Sequence, residues 1–171
     1  MVHITRLDES DARRHLDQFV MLLGDTVDNG ASVGFLRPLD AALARDYWHD
    51  VFASMASGTK ILLIASVDDQ IVGSVQLELA TRQNGRHRAE VQKLIVLTRC
   101  RRQGIASQLM DAIEREARGA ARSLLVLDTE AGSVAEPFYE ARRWQRVGSI
   151  PNFALSTDGV PTANIIFCKM I

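Results

Sequence analysis

Cysteine is nearly absent. Cys100 and Cys168 are the only two in the chain, and neither has a further Cys or a His at zinc-finger or redox-motif spacing. Both read as small, semi-buried side chains. No base is apparent beside Cys100, which argues against a thiol nucleophile. The histidines at positions 3, 15, 49 and 87 form no pair at i and i+4, so no metal site is expected. Long apolar runs are missing too, and nothing approaches the ~20 residues that span a bilayer. The opening MVHITRLDES has no apolar stretch of the secretory kind, so a cytoplasmic protein without a membrane partner is expected. Charge of one sign is not in excess: 20 Lys+Arg face 21 Asp+Glu, leaving no footprint for nucleic acid. The Walker A loop and the G-x-G-x-x-G fingerprint are both absent.

What is present is 171 residues, 47% of them hydrophobic, with no repeat or low-complexity tract. That suffices for a packed core and fits one domain over residues 1–171. Residues 2–7 read as a strand. Asp11 opens a helix with Leu16, Phe19, Val20 and Leu23 on one face. Residues 24–40, with three glycines, one proline and no sustained period, read as an oversized loop. Asp40 caps a second helix whose stripe is Ala44, Tyr47, Trp48, Val51, Phe52 and Met55, and Gly58 ends it.

Strands follow at residues 61–67 and 71–79, joined by a tight turn at Asp68-Asp69-Gln70, and at 89–97 after the turn Asn84-Gly85. The remainder reads as a helix at 105–117, a strand at 124–127, a helix at 133–142, and strands at 145–150 and 162–169. Hairpin-linked strands followed by βαβ elements imply an α/β (α+β) fold, with a mixed, mostly antiparallel sheet between helices on both faces. The strand at 89–97 is placed next to that at 124–127, across a helical crossover.

Between the 89–97 strand and the next helix lies Arg101-Arg102-Gln103-Gly104-Ile105-Ala106. Small residues let a ligand approach the backbone, and the first N–H groups of the helix have no internal partners. With Arg99, Arg101 and Arg102 alongside, this is a chemically suitable cradle for a pyrophosphate.

The pattern R-x-x-G-x-A, the strand ending Leu94-Ile95-Val96-Leu97 and the order of elements resemble the acetyl-CoA-binding core of the GNAT acyltransferase superfamily, whose motif is Q/R-x-x-G-x-G/A. Within it, GASVGF at 30–35, RAEVQKL at 88–94 and LDTEAGSVAEPFY at 127–139 resemble the tabtoxin-resistance acetyltransferase group. The resemblance implies acetyl-CoA as co-substrate. It also implies a strand that splays from its neighbour, so that the main chain of Leu94, Ile95 and Val96 bonds the pantetheine arm. Arg101, Arg102, Gln103, Gly104, Ile105, Ala106 and Ser107 would hold the pyrophosphate.

Acetyl transfer to an amine requires a proton acceptor for the ammonium and a proton donor for the departing thiolate. Glu90 shares parity with Gln92, Leu94 and Val96, and Asp128 follows an apolar run at the mouth of the sheet. Either could accept the proton, and the resemblance supports both. Tyr139 matches the residue that in such proteins protonates the leaving thiolate. Ser133 and Glu136 form an S-x-x-E capping box ahead of it. The chain departs from the superfamily pattern in lacking an Asn near Gly132, for which Ser133 would substitute. It also has Arg143-Trp144 where many members carry a Gly-aromatic pair.

Asp25, Asp28, Ser32 and Glu130 suggest an acidic mouth suited to a cationic small amine such as an amino acid, a small peptide or an amino-bearing toxin. The competing expectations are a non-catalytic acetyl-CoA-binding module and an enzyme acting on protein N-termini or lysines. A monomer and a homodimer both stay open, with an exposed Trp48 or Trp144 as the hint of a dimer.

Overall fold

The computed structural model describes residues 1–171. Seven strands, β1 (His3–Arg6), β2 (Lys60–Val67), β3 (Gln70–Leu79), β4 (Arg88–Val96), β5 (Leu124–Glu130), β6 (Gln145–Leu155) and β7 (Pro161–Met170), form one sheet in the order β1-β2-β3-β4-β5-β7-β6. The helices are α1 (Glu9–Arg14), α2 (Leu16–Asp28), α3 (Ala41–Ala56), α4 (Ile105–Gly119) and α5 (Ala135–Ala141). All neighbouring strands are antiparallel except β4 and β5, the pair bridged by α4. This is the mixed, mostly antiparallel sheet with helices on both faces that the strand and helix order implies.

Local chemistry accounts for most boundaries. The Asp40 carboxylate accepts from the N–H groups of Ala42 and Leu43 at 2.6 and 3.4 Å and starts α3. Asp68 and Asp69 both have positive φ, 49° and 62°, the mirror-image turn that matches strand twist. The single helix expected from Asp11 is instead two. Asp8 caps α1 through the Asp11 N–H at 2.8 Å, and the chain breaks at His15 before α2.

The loop expected at 24–40 is shorter than it looked, because α2 runs through Gly24 to Asp28. The buried stripe Phe19, Leu22, Leu23, Thr26 and Val27 continues past the glycine. Burying it outweighs the ~1 kcal/mol that a helical glycine costs. The Thr26 hydroxyl adds a 2.8 Å bond to the Leu22 carbonyl.

Phe19, Trp48 and Phe52 form an aromatic cluster between α2, α3 and the sheet, with Phe19 and Trp48 centroids 4.5 Å apart. Trp144 packs against Tyr139 on α5, so both tryptophans are buried and neither marks an exposed interface. On the opposite face α4 packs on β3, with Leu109 close to Gly73. It is tied to β7 by Lys169, which donates to both oxygens of the buried Glu114 at 2.8 and 3.0 Å.

Gly73 sits where β3, β4 and α4 converge. A Cβ there would lie 2.9 Å from the Ile95 carbonyl oxygen and 3.3 Å from both Leu109 and Val96. Gly73→Ala should therefore lower stability by about 1–3 kcal/mol through overpacking. Thermal melts check this, and an unchanged Tm would contradict it.

Candidate functional site

The constellation begins with a pairing that stops early. β4 and β5 are hydrogen-bonded only over Arg88–Glu90 and Leu124–Val126, with Glu90 opposite Val126 as the last pair. β4 continues to Val96, held by β3, and β5 continues to Glu130, held by β7. Beyond Glu90 the two strands part. The β4 main chain facing β5, from Val91 through Leu94 to Val96, therefore has no strand partner on that side.

A bulge lies in the same stretch of β4. Ser74 faces Ile95 and Gln76 faces Gln92, so Lys93 and Leu94 together stand opposite Val75. Lys93 takes a φ of +50°. This overturns the parity reading. Gln92 pairs with Gln76, whose amide meets Tyr47 of α3, whereas Val96 pairs with Gly73 on the α4 face. Glu90 and Gln92 share the α3 face, but Val96 does not.

After β4, a turn of 3-10 helix at Thr98–Cys100 leads to Arg102 and Gly104, both in left-handed conformations with φ of 61° and 77°. Gly104 is the N-cap residue of α4, and no side chain caps the helix. The N–H groups of Ile105, Ala106 and Ser107 precede its first bond, from Gln108 N to the Gly104 carbonyl at 3.1 Å. Arg99, Arg102 and Gln103 are exposed around them. Arg101, also exposed, folds back through Nε onto the Val96 carbonyl at 3.1 Å.

Asp25 does not belong to an acidic mouth. Its Oδ2 accepts from the Thr98 N–H and hydroxyl at 2.7 and 3.0 Å, pinning this turn to α2.

Asp128 lies within β5 rather than after it, and is exposed because β4 has turned away. Its Oδ2 accepts from Nδ2 of the buried Asn164 on β7 at 2.5 Å. Tyr139 on α5 is 7% exposed among Phe138, Trp144 and Phe167. Burial pushes its hydroxyl far above the usual tyrosine range, and the nearby Asp128 carboxylate pushes it further. The phenol is therefore neutral and protonated.

The capping box ahead of α5 is not made. The Glu136 carboxylate accepts from the Gly132 N–H, and the Ser133 hydroxyl lies 3.2 Å from that of Thr129.

Glu90 is half-buried, with Oε1 accepting from Gln92 Nε2 at 2.9 Å. A cleft of about 640 Å³ opens beside it, lined also by Glu78, Thr81, Arg82, His87, Arg88 and Val126. Lys93, on β4, holds its Nζ 5.6 Å from the centre of the Tyr47 ring. Desolvation is the main cause holding its ammonium below the usual lysine range, with Lys60 adding to it. Asp128, Glu90 and Glu78 pull the other way. The loop at 29–40 reaches this side: a Cβ on Gly34 would be 3.7 Å from Lys93 Nζ, and Phe35 meets the Tyr47 ring edge-on at 5.2 Å. Arg37 joins the loop to the β6–β7 turn through a two-pronged pair with Asp158 at 2.5 and 2.8 Å.

Glu90, Asp128 and Tyr139 thus gather around the parting strands. Leu94 to Val96 form one wall, and Arg101 to Ser107 form the helix start at its end. Lys60, Gln92, Lys93 and Asn164 were missed by sequence reasoning. Only Gln92 carried a signal, the alternation of polar residues Gln76-Glu78 and Glu90-Gln92 in strands otherwise apolar enough to be buried.

Comparison with known proteins agrees with this architecture. The model of the acetyltransferase (GNAT) domain matches residues 34–155. An uncharacterized N-acetyltransferase from the hisH-hisA intergenic region of Azospirillum brasilense is 30% identical over 122 residues, which is 70% of this chain and 71% of that protein. Among solved structures, an N-acetyltransferase from Staphylococcus aureus Mu50 superposes with a TM-score of 0.81 at 16% identity, covering 99% of this chain and 98% of the other. The yncA protein of Salmonella typhimurium, solved with its cofactor acetyl-CoA, gives 0.76 at 14% identity, covering 99% and 93%. The chain belongs to the GNAT family of acetyltransferases, with acetyl-CoA as its co-substrate.

Proposed function

We propose that residues 1–171 form one N-acetyltransferase domain that transfers acetyl directly to the amine of a small molecule, of the amino-acid, short-peptide or amino-bearing toxin kind. The observation that carries this reading is the gathering of Glu90, Asp128 and a neutral Tyr139 around the gap where β4 leaves β5. The three segments resembling the tabtoxin-resistance group include all of these residues.

Acetyl-CoA supplies an activated acetyl group, and the chain supplies what that group needs. The β4 main chain at Leu94, Ile95 and Val96 has no strand partner on its β5 side, where only the Val96 carbonyl meets a side chain, Arg101. This edge suits the amides of an extended pantetheine arm. One N–H there would polarise the thioester carbonyl. The start of α4, from Arg101 to Ser107, suits a pyrophosphate, because uncapped N–H groups and exposed arginines meet there. The Ser133 hydroxyl, directed at Thr129, is available near the other wall. Glu90 or Asp128 accepts the proton that the incoming ammonium must lose, and Tyr139 donates one to the departing sulfur.

The carboxylates suit an amine acceptor. Glu78, Glu90 and Asp128 all act on the Lys93 ammonium, and Glu78 also pairs with Lys60. Arg82 and Arg88 line the cleft beside Glu90, so the carboxylates can receive an ammonium but sit among cations.

A screen for CoA release with L-amino acids, short peptides, polyamines and aminoglycosides tests the substrate class. Release with at least one small amine is expected. Release only with protein acceptors would shift the reading to protein acetylation. Tyr139→Phe should lower kcat by about 10²-fold with KM for acetyl-CoA unchanged. Its hydroxyl is held above its usual pKa near 10, and a proton donor works only while protonated. The defect should therefore stay constant from pH 7 to about pH 9.5. Full turnover in the variant would remove Tyr139 as the acid. Glu90→Gln and Asp128→Asn divide the other role: replacing the base abolishes the low-pH limb of the kcat/KM profile, and a variant that keeps that limb identifies a bystander.

A further inference from the structure

Glu78 and Glu90 are direct cross-strand partners on β3 and β4, an arrangement of like charges that is unfavourable by itself. Lys60 at the start of β2 resolves it. Its side chain is only 10% exposed and reaches across β3 toward β4. The three protons of the ammonium find three acceptors: Gln92 Oε1 at 2.9 Å, Glu78 Oε2 at 3.1 Å and Gln76 Oε1 at 3.4 Å.

The bond to Gln92 has a consequence for Glu90. An ammonium can only donate, so the Gln92 amide must turn its oxygen to Lys60. The amide is rigid, and its NH₂ group is then directed to Glu90, where Nε2 meets Oε1 at 2.9 Å. With the amide flipped, N–H groups would face the ammonium and the amide oxygen would face a carboxylate. Both contacts would be repulsive. The charge on Lys60 thereby selects one amide orientation. That orientation holds Glu90 as a hydrogen-bond acceptor, with Oε2 outside this bond. The second arm of the network, Gln76 to the Tyr47 hydroxyl at 2.9 Å, anchors the assembly to α3.

We propose that Lys60 is a positioning residue for acetyl transfer, acting through the Gln92 amide to hold the Glu90 carboxylate in one orientation beside the cleft that Glu78, Glu90 and Val126 line. The inference rests on Glu90 as the proton acceptor.

A double-mutant cycle on the purified full chain tests it. Acetyl-CoA is the donor, and the acceptor is the amine of the screen above with the highest kcat/KM. Lys60→Met and Gln92→Leu should each lower kcat by about tenfold while leaving KM for acetyl-CoA within about twofold. Neither should cost anything further in the Glu90→Gln background, nor should they compound with each other, because they act through one group. If Lys60→Met fails to fold by circular dichroism, Gln92→Leu carries the same comparison with the ammonium in place.

Equal losses in the wild-type and Glu90→Gln backgrounds would overturn the proposal, as would a harmless Gln92→Leu. Full turnover in Glu90→Gln would instead remove Glu90 as the base, and this inference with it. No CoA release with any small amine would overturn the small-acceptor reading and the positioning role together.

Discussion

The parting of β4 from β5 after a single short stretch of parallel pairing organises everything around it. β5 cannot follow β4, because its seven residues are all in register with β7. β4 cannot follow β5, because β3 holds it and the bulge at Lys93 redirects it. Each strand keeps one complete ladder, and the mismatch appears between them. An unpaired main chain inside a sheet is unfavourable unless a ligand or water completes it. The gap therefore combines exposed donors and acceptors with rigid walls, and rigid walls hold chemical groups in place better than loops do. Glu90 stands at the base of the gap, Asp128 on one wall, and Lys93 and Leu94 on the other.

Overall neutrality conceals a division of charge along this axis. Exposed arginines at 99, 101 and 102 surround the uncapped start of α4, where the helix dipole is also positive. Carboxylates at 78, 90 and 128 gather toward the other end, interleaved with the ammonium groups of Lys60 and Lys93. The second group is not simply an acidic patch. Lys60 is fully bonded, whereas Lys93 has an aromatic face and the edge of a loop for company. Sequence proximity suggested that Asp25, Asp28 and Glu130 would supply the acidic character. The structure instead spends Asp25 on the turn after β4 and draws its carboxylates from three strands.

Legibility in the sequence followed the range of the interactions. The Asp40 cap, the Asp68-Asp69 turn and the α4 start depend on a few neighbouring residues, and all were readable from them. The β4–β5 adjacency followed from connectivity. Three features were hidden because they depend on distant partners. The extension of α2 through Gly24 is set by burial of Thr26 and Val27, not by local propensity. The bulge at Lys93 carries no glycine to announce its positive φ, and it silently reverses the facing of every later residue in β4. The S-x-x-E motif was present, but Glu136 found the Gly132 N–H and Ser133 found Thr129. A capping box is a local opportunity that a competing turn can take away.

The two tyrosines show how little residue type alone decides. Tyr47 and Tyr139 are both enclosed, and burial raises both hydroxyls far beyond their usual range. Both therefore stay protonated at any ordinary pH, and protonation cannot distinguish them. Hydrogen bonding does. The Tyr47 hydroxyl donates to Gln76 Oε1 at 3.1 Å and accepts from Gln76 Nε2 at 2.9 Å, so its proton is already committed to holding α3 on the sheet. The opposing influence of Gln76 on its titration reflects the N–H that Gln76 Nε2 donates to the phenol oxygen. Tyr139 is held by aromatic packing instead, which fixes the ring without engaging the hydroxyl. Its only resolved electrostatic neighbour is Asp128, which disfavours loss of the proton while the tyrosine stands alone. That opposition weakens if Asp128 is neutralised by a bound ammonium or by a proton taken from it. Under the proposed mechanism with Asp128 rather than Glu90 as the base, Tyr139 would therefore give up its proton more readily once Asp128 had been discharged.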